Sequence, residues 1–343
     1  MIDKKLKLYW VDLEIYRKII NENNFQINFF QKYNWLKIIS SNNNLELKFL
    51  IIEQETKILS ITPFTKKNIL NFRLYGCPLI GTFSFYSGII FNKTLSTDEI
   101  LYLVNVQTIH INKLSNYTEY TFDYASNTKT KLNKFFKKLG YQFKPNKTLI
   151  IKLNQSEDLI WKNLESRSRN SIRKAKKNDL YTKIELPDEN WINIFYDMLK
   201  ETFKRSKRTP IHSKNFYLSL IKLPKENIMF ASTYKNKKVL SKAIFLIDEN
   251  KIIYFSGSTN QQGYNFAANN FLLWEVISLN INKKIKYFDF GGLGNSNIDK
   301  FKKSFGGEEV IYDRWVKTGF FIDNTIKFAK FLSNRGLIKI KTI

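Results

Sequence analysis

Residues 287–312 read YFDFGGLGNSNIDKFKKSFGGEEVIY, and this stretch contains the signals that decide the fold. A strand ends at Asp289, and the following Gly291 and Gly292 permit positive φ or a close approach of the backbone. A helix with three lysines comes next, and a second pair of glycines precedes a final strand. The stretch therefore predicts a strand, a tight turn, a short helix and another strand of an α/β domain.

The helix of this stretch carries the principal candidate for catalysis, Lys302. Phe301 and Phe305 are four residues apart and anchor the helix to the core, which fixes Lys302 near the strand ends. An ammonium group held there binds phosphate or stabilises an anionic tetrahedral intermediate, although a solvated surface lysine has the same sequence signature. Asp289 is the second candidate: it accepts a proton from an amine, or it caps the Gly291–Gly292 turn. Gly291 and Gly292 are candidates for binding the substrate, since their backbone permits its close approach.

The same order of elements occurs twice, with a loose repeat of about 170 residues. Residues 45–64 and 227–247 each alternate apolar and polar positions around a polar turn, which predicts two β-hairpins. Each hairpin leads to a third strand, at residues 83–91 and 251–258, and then to a helix, at residues 97–112 and 268–282. The order β-β-β-α-β-α-β thus predicts two tandem domains, each with a mixed, largely antiparallel sheet flanked by helices.

Between the two copies, residues 156–178 read as one helix, with Ser156 as its N-cap. Its apolar residues fall on one face and leave a basic outer face. We therefore divide the chain into residues 1–152 as the acceptor-side domain, 153–180 as a basic linking helix, 181–320 as the catalytic domain, and 321–343 as an amphipathic tail.

A polar loop connects a strand to a helix within residues 252–277. Free backbone N–H groups at the start of such a helix bind phosphate or a developing oxyanion. Gly263, Asn269 and Asn270 are accordingly the candidates for binding the donor. A purely structural connection fits this segment equally well when it is considered alone.

The formal charge of +26 is typical of proteins that bind nucleic acids or membrane surfaces. Only nine of the 56 basic residues are Arg, however, and the chain is also rich in Asn and Ile. We attribute much of the charge to this general bias of composition and treat only basic clusters as functional. No DNA partner is expected.

The chain has one cysteine and two distant histidines, so the sequence predicts neither a disulfide nor a zinc site. The N-terminus has no apolar signal region, and the longest apolar runs are too short to span a bilayer. These features favour a cytoplasmic protein without a permanently bound cofactor.

The glycine-rich stretch resembles the C-terminal signature of FemABX-type peptidyltransferases and related GNAT-like acyltransferases. Other segments match the family in order over residues 25–316: NFFQKYNWLKII, ESRSRNSIRKAKKNDL, YDMLKETFKRSKRTPIHSKNFYLSL and NNFLLWEVI. Two departures are visible. Gly88 is followed by Ile89 where the family has Pro, and no long helical arm is inserted in the second domain.

The resemblance implies an enzyme that transfers an acyl group from an activated donor to the amine of a cell-envelope precursor, such as a peptidoglycan stem peptide. It places Lys37 near the acceptor's phosphates, Arg205 and Arg208 in a segment that contacts the same acceptor, and Lys302 in the reaction cleft between the two domains. Because no Ser-His-Asp or Cys-His pattern is present, we expect direct attack by the amine without an acyl-enzyme.

The donor is either aminoacyl-tRNA or acyl-CoA. Residues 260–265 read NQQGYN, a degraded version of the glycine pattern that binds acetyl-CoA in GNAT enzymes, so aminoacyl-tRNA is slightly favoured. The alternatives are an acyl-CoA-dependent N-acyltransferase acting on an amino sugar or amino acid, and an inactive GNAT-like protein that binds RNA or lipid. Peripheral contact with the inner membrane surface is a further expectation.

Overall fold

The computed structural model describes residues 5–23, 25–42, 45–69, 71–82, 84–124, 129–205, 209–294 and 296–319. The chain divides into two compact units, one of residues 1–146 with 311–343 and the other of residues 147–310. Each unit contains a mixed β-sheet with helices, which confirms the predicted α/β class. The predicted elements of the tail, residues 321–343, lie outside the described residues.

Both units contain strands and helices. In chain order the strands are β1 (Leu6–Val11), β2 (Glu46–Gln54), β3 (Lys57–Ile69), β4 (Phe72–Cys77), β5 (Ile90–Phe91), β6 (Tyr117–Thr121), β7 (Gln142–Phe143), β8 (Asn146–Lys152), β9 (Tyr181–Glu185), β10 (Ile228–Lys235), β11 (Lys238–Ile247), β12 (Lys251–Thr259), β13 (Tyr287–Asp289), β14 (Glu308–Tyr312) and β15 (Arg314–Thr318).

The helices are α1 (Leu13–Asn23), α2 (Tyr33–Asn42), α3 (Thr97–Leu114), α4 (Lys129–Lys138), α5 (Glu157–Asn163), α6 (Ser166–Lys177), α7 (Glu189–Arg205), α8 (Lys214–Leu220), α9 (Gln261–Asn265), α10 (Ala268–Asn280) and α11 (Ser296–Lys303). Among the described residues, none of these helices is long and apolar enough to cross a bilayer.

The two sheets have the same plan. The first has the strand order β1-β2-β3-β4-β6-β15-β7, with β5 paired to β3, and the second has the order β14-β8-β13-β12-β11-β10-β9. Most neighbouring strands are antiparallel, but β4 pairs with β6 and β12 with β13 in parallel. The predicted hairpins are confirmed as β2–β3 and β10–β11. Asn236 and Lys237 both have positive φ at the second turn, as a two-residue hairpin loop requires.

Each sheet contains one strand that the sequence-based division places in the other domain. In the first sheet β15 lies between β6 and β7, and in the second sheet β8 lies next to β13 and β14. The compact units are therefore divided at residues 146 and 310, not at the boundaries expected from the sequence. Strand periodicity reports which residues are buried but not which sheet a strand joins, so it does not locate such an exchange.

The linking segment differs from the single helix predicted for residues 156–178. Ser156 caps α5 as predicted, accepting a hydrogen bond from the Leu159 N–H. The helix then stops, because Leu164 and Glu165 are extended and the Glu165 N–H donates to the carbonyl of Ser304. This contact with the end of α11 outweighs the continuous helical pattern. The basic helix is thus α6 alone.

The predicted strand at residues 83–91 is also wrong: β4 is the third strand of the first copy, and within the described residues 84–91 only Ile90 and Phe91 form a strand. Side chains hold the rest as a loop. The amide groups of Asn28 and Gln31 both donate to the Ser87 carbonyl, at 2.9 and 2.7 Å. Gly88, with φ of 77°, turns the chain before β5.

A buried ion pair fixes β15 in the first sheet. Glu119 of β6 is fully buried and accepts hydrogen bonds from the guanidinium of Arg314, from the Tyr117 hydroxyl and from the Ile80 N–H. The Arg314 Nη2 lies 2.6 Å from Glu119 Oε2. Because a charge buried without its partner is strongly unfavourable, each of these two residues makes the other tolerable in the sheet.

Candidate active site

Lys302 occupies the last turn of α11 and is 7% exposed. Its Nζ donates a hydrogen bond to the Gly292 carbonyl oxygen at 2.5 Å. Burial lowers the pKa of Lys302 to about 8, although the negative charges of Asp289 and Asp299 oppose this shift. The side chain is therefore a cation at neutral pH and loses its charge just above it.

The turn before α11 is held by the carboxylate of Asp289, which is 3% exposed. Asp289 Oδ1 accepts hydrogen bonds from the Gly291 N–H at 2.8 Å and from the Thr148 hydroxyl at 2.5 Å. The Gly292 N–H donates to Thr148 Oγ1 at 3.1 Å. Gly291 and Gly292 have φ of 69° and 91°, so the expected positive φ is observed. Asp289 thus caps the glycine turn.

The first turn of α6 holds the end of α11 in place. Arg167 Nη2 donates to the Lys300 carbonyl at 2.6 Å, and the hydroxyls of Ser168 and Ser304 lie 2.6 Å apart. Part of the basic helix therefore makes internal contacts, and its arginines are not all free for a ligand. These contacts fix the helix from which Lys302 projects.

Gly263 packs closely within α9. Its N–H donates to Asn260 Oδ1 at 2.8 Å, so that donor is already satisfied within the loop. A Cβ at this position would lie 2.3 Å from the backbone oxygen of Leu240 in β11. The glycine is thus required for packing of the loop against the sheet, whatever its part in donor binding.

The start of α10 retains the features expected of an anion site. Its N-cap, Ala267, is in the left-handed conformation and makes no side-chain cap. Asn269 and Asn270 are half-buried in the first turn, and Asn269 Oδ1 accepts a long hydrogen bond of 3.5 Å from the Ser241 hydroxyl. The positive end of this helix dipole and these two amides suit a phosphate group.

Arg205 lies beside the loop of residues 259–267 that precedes α10. Its guanidinium carbon is 4.4 Å from the ring centroid of Tyr264, and Nη2 donates to the Thr259 carbonyl at 3.3 Å. The resemblance assigned Arg205 to the acceptor, and that role stays a prediction. Arg208 lies outside the described residues.

Lys37 belongs to the first unit and is exposed on α2. Trp35 and Leu36 are buried and fix the helix, and Lys37 Nζ is 3.5 Å from the Tyr33 hydroxyl. Its predicted role toward the acceptor's phosphates is compatible with this exposure and stays a prediction.

The second unit therefore brings together one compact group from the sequence prediction, Lys302 with the Asp289–Gly292 turn. That group falls within a segment matched by a known family. The family of FemAB-like proteins, described as peptidoglycan biosynthesis/recognition, matches residues 90–312. The chain belongs to the FemAB-like family.

Solved structures share the fold of this chain. The FemAB-like chain is similar to FemX, with 12% identity over 90% of this chain and 96% of FemX, at a TM-score of 0.66. It is also similar to the C-terminal domain of a putative lysylphosphatidylglycerol synthetase from Agrobacterium fabrum, with 9% identity, 94% and 98% coverage and a TM-score of 0.56. A search of curated proteins gave no match.

A third similar structure is a tandem GNAT protein from the clavulanic acid biosynthesis pathway, with 6% identity, 91% and 98% coverage and a TM-score of 0.53. This likeness confirms the expected fold, two GNAT-like units in tandem. Membership of the FemAB-like family supports the expected enzyme class, an acyltransferase. Among the described residues, no group of three or more His, Cys, Asp or Glu side chains is arranged to hold a metal ion.

The sequence reasoning missed Thr148, which completes the glycine turn of this FemAB-like chain. Thr148 lies 141 positions before Asp289, in a strand where four consecutive residues are buried. Such a strand has no alternation that distinguishes a functional side chain from its neighbours. Only the pairing of β8 with β13 brings the two residues together.

A second buried lysine, Lys242, was also missed. It is 2% exposed, with Nζ 4.0 Å from the ring centroid of Trp191 and 3.2 Å from Ser232 Oγ. Burial lowers the pKa of Lys242 to about 8, against the charge of nearby Glu185. Glu185 accepts hydrogen bonds from Trp191, Ser232 and Tyr234. The visible signal was a charged residue within the apolar strand β11.

Replacing Gly263 by Ala should lower the free energy of unfolding by about 1–3 kcal/mol, because the added Cβ overlaps a backbone oxygen that belongs to the sheet. We also expect a higher KM for the donor, since the loop has to shift. The urea midpoint measures the first effect. Gly294→Ala is the matched control, because nothing lies within 4 Å of its Cβ position. Equal stability of the two variants would contradict the packing role.

Proposed function

We propose that this FemAB-like chain transfers an aminoacyl group from aminoacyl-tRNA to the amine of a peptidoglycan precursor. The observation that carries the proposal is the buried ammonium group of Lys302, held against the Gly292 carbonyl and beside Asp289. This arrangement lies at the C-terminal end of β13, within the segment matched by the family. It presents one fixed positive charge at a glycine turn, where a reacting carbonyl can approach the backbone closely.

The proposed reaction needs charge stabilisation more than a nucleophilic residue. The neutral amine nitrogen attacks the ester carbonyl carbon, and the carbonyl oxygen becomes an oxyanion that Lys302 stabilises. The tetrahedral intermediate then collapses, the ester C–O bond breaks and the amide remains. The proton lost by the amine balances the proton gained by the departing ribose hydroxyl, directly or through water.

Asp289 has a supporting part in this proposal. Its Oδ1 already accepts hydrogen bonds from Gly291 and Thr148, which suits a fixed carboxylate better than a base that swings toward substrate. Its negative charge also opposes the effect of burial on Lys302 and so keeps the lysine protonated. The amine proton then leaves through water or a group of the substrate.

The loop of residues 259–267, which we propose binds the donor, suits tRNA better than an acyl-CoA. The Gly263 N–H is occupied by Asn260, and Arg205 covers the ring of Tyr264 in the same loop. The start of α10 offers one phosphate site, which either donor can use. The exposed Lys174, Lys176 and Lys177 at the end of α6 add positive charge that suits an RNA backbone.

The test mixes the purified protein with a peptidoglycan precursor that has a free stem-peptide amine. Two parallel reactions receive either aminoacyl-tRNA labelled in its aminoacyl group or acyl-CoA labelled in its acyl group. We expect label in the precursor as an amide, from aminoacyl-tRNA. The same precursor with its amine acetylated is the matched control and should remain unlabelled. Label from acyl-CoA alone would select the acyl-CoA alternative, and no label from either donor with folded protein would contradict the proposal.

A further inference from the structure

Thr148 connects two parts of the site that are distant in sequence. It is 1% exposed and lies in β8, the strand inserted beside β13. Its hydroxyl donates to Asp289 Oδ1 at 2.5 Å and accepts from the Gly292 N–H at 3.1 Å. A hydroxyl has one hydrogen and two lone pairs, so one side chain makes both bonds at once.

The residue held by Thr148 is the one that contacts Lys302. Gly292 donates its N–H to Thr148 and accepts a hydrogen bond from Lys302 Nζ on its carbonyl oxygen. Its φ of 91° lies in the left-handed region, which glycine adopts readily and residues with a Cβ rarely do. The hydrogen bonds thus run from Asp289 through Thr148 and Gly292 to the lysine.

A β-branched side chain suits this position. The side chain of Thr has few rotamers, and its hydrogen bonds to Asp289 and Gly292 favour one of them here. Serine has the same hydroxyl without the methyl group, and valine has nearly the same shape with a methyl group in place of the hydroxyl. The site therefore allows the hydrogen bonds and the packing of Thr148 to be tested separately.

We propose that Thr148 is a positioning residue for acyl transfer, which orients the glycine turn and Asp289 so that Lys302 faces the reacting carbonyl. This inference rests on the proposed function. Thr148 acts through Asp289 and Gly292 and does not itself contact the substrate. If it served only the stability of β8, its hydroxyl would influence unfolding and not turnover.

The main test compares Thr148→Val with Thr148→Ser. Thr148→Val removes a hydrogen bond to a charged group and leaves the N–H of the half-buried Gly292 without this acceptor. We expect kcat to fall about 10–100-fold with KM for both substrates nearly unchanged. We expect Thr148→Ser to retain most of the wild-type kcat. The charged groups that act on Lys302, Asp289 of β13 and Asp299 of its own helix, remain in both variants.

The pH profile separates positioning from stability. In Thr148→Val the alkaline limb of kcat, which reports the loss of the Lys302 proton, should move relative to wild type, whereas in Thr148→Ser it should stay in place. Thr233→Val is the matched control, because Thr233 is fully buried in the same unit and its hydroxyl lies 2.8 Å from that of Thr182. That control should change neither kcat nor the pH profile.

A second readout does not depend on turnover. Labelling of Lys302 by an amine-reactive reagent, followed by mass spectrometry, measures its exposure and its protonation. We expect faster labelling in Thr148→Val than in wild type or Thr148→Ser. If wild type transfers no acyl group, the proposed function fails, and labelling alone decides whether Thr148 fixes the lysine. The inference would be overturned by a folded Thr148→Val variant with the same kcat, pH profile and labelling rate as wild type.

Discussion

Replacing Lys302 by Met should lower kcat about 10²–10³-fold, the effect of removing one donor that stabilises an oxyanion. Methionine fills a similar volume, so the packing of α11 should be retained. The variant therefore loses the buried charge and the hydrogen bond to Gly292. We expect this loss to lower the rate of the reaction and not to disrupt the fold. Measurement of kcat with saturating donor and acceptor gives the result directly.

Stability serves as an internal control for this variant. The pKa of Lys302 in the folded chain, about 8, is below that of an unfolded lysine near 10.4. The folded state therefore disfavours the proton, which lowers stability below about pH 8, and this penalty disappears as the pH rises through the interval between the two pKa values. Lys302→Met should thus be at least as stable as wild type at pH 7.

The pH dependence of the wild-type rate follows from the same pKa. If the protonated lysine stabilises the oxyanion, kcat should decline as the pH rises above about 8.

Lys300→Met is the matched control for Lys302→Met, because Lys300 is exposed on the same helix, and it should retain near wild-type turnover. A Lys302→Met variant that is folded and fully active would remove Lys302 from the mechanism, as an inactive RNA- or lipid-binding protein would require.

Glu119→Gln should lower the free energy of unfolding by about 3–5 kcal/mol, since it leaves the guanidinium of Arg314, whose side chain is only 13% exposed, without a counter-charge. Glutamine keeps the size of the side chain and can still accept one hydrogen bond from the Ile80 N–H. The loss is therefore mainly electrostatic. Denaturant unfolding followed by tryptophan fluorescence is a suitable measurement, because Trp315 is buried in the same strand as Arg314.

A surface pair provides the comparison. Glu46 forms ion pairs with Lys48 and Lys66, and its side chain is 45% exposed. Glu46→Gln should change stability by less than about 1 kcal/mol, because solvent screens such pairs. Similar losses for Glu46→Gln and Glu119→Gln would show that the buried pair does not hold β15 in the first sheet.

Local sequence patterns predicted much of the fold because they report local geometry. The polar residues at Lys235–Lys238 identified the second hairpin, and the serine and acidic residues at the start of α5 identified its cap. The prediction failed where distant contacts decide the conformation. The linking helix breaks at Leu164 because Ser304 binds the adjacent backbone, and the loop before Ile90 is shaped by Asn28 and Gln31.

The candidate site shows the same division. Asp289, Gly291, Gly292 and Lys302 lie within 14 consecutive residues, so one motif contains them all. Thr148 comes from a strand that the sequence assigned to another domain, and no periodicity marks it. Lys242 was not predicted, although it is a charged residue in an apolar strand, because its surroundings include Trp191 and Glu185, which only tertiary packing brings to it.

The placement of β15 in the first sheet constrains when this polypeptide can fold during its synthesis on the ribosome. Strands β6 and β7 are synthesised early, yet β15, which lies between them, becomes available only after the whole second unit has been made. Until then both strands have unpaired edges that other chains can join. The sheet of the first unit therefore cannot be completed until β15 has been synthesised. We expect the two units to complete folding together and not one after the other.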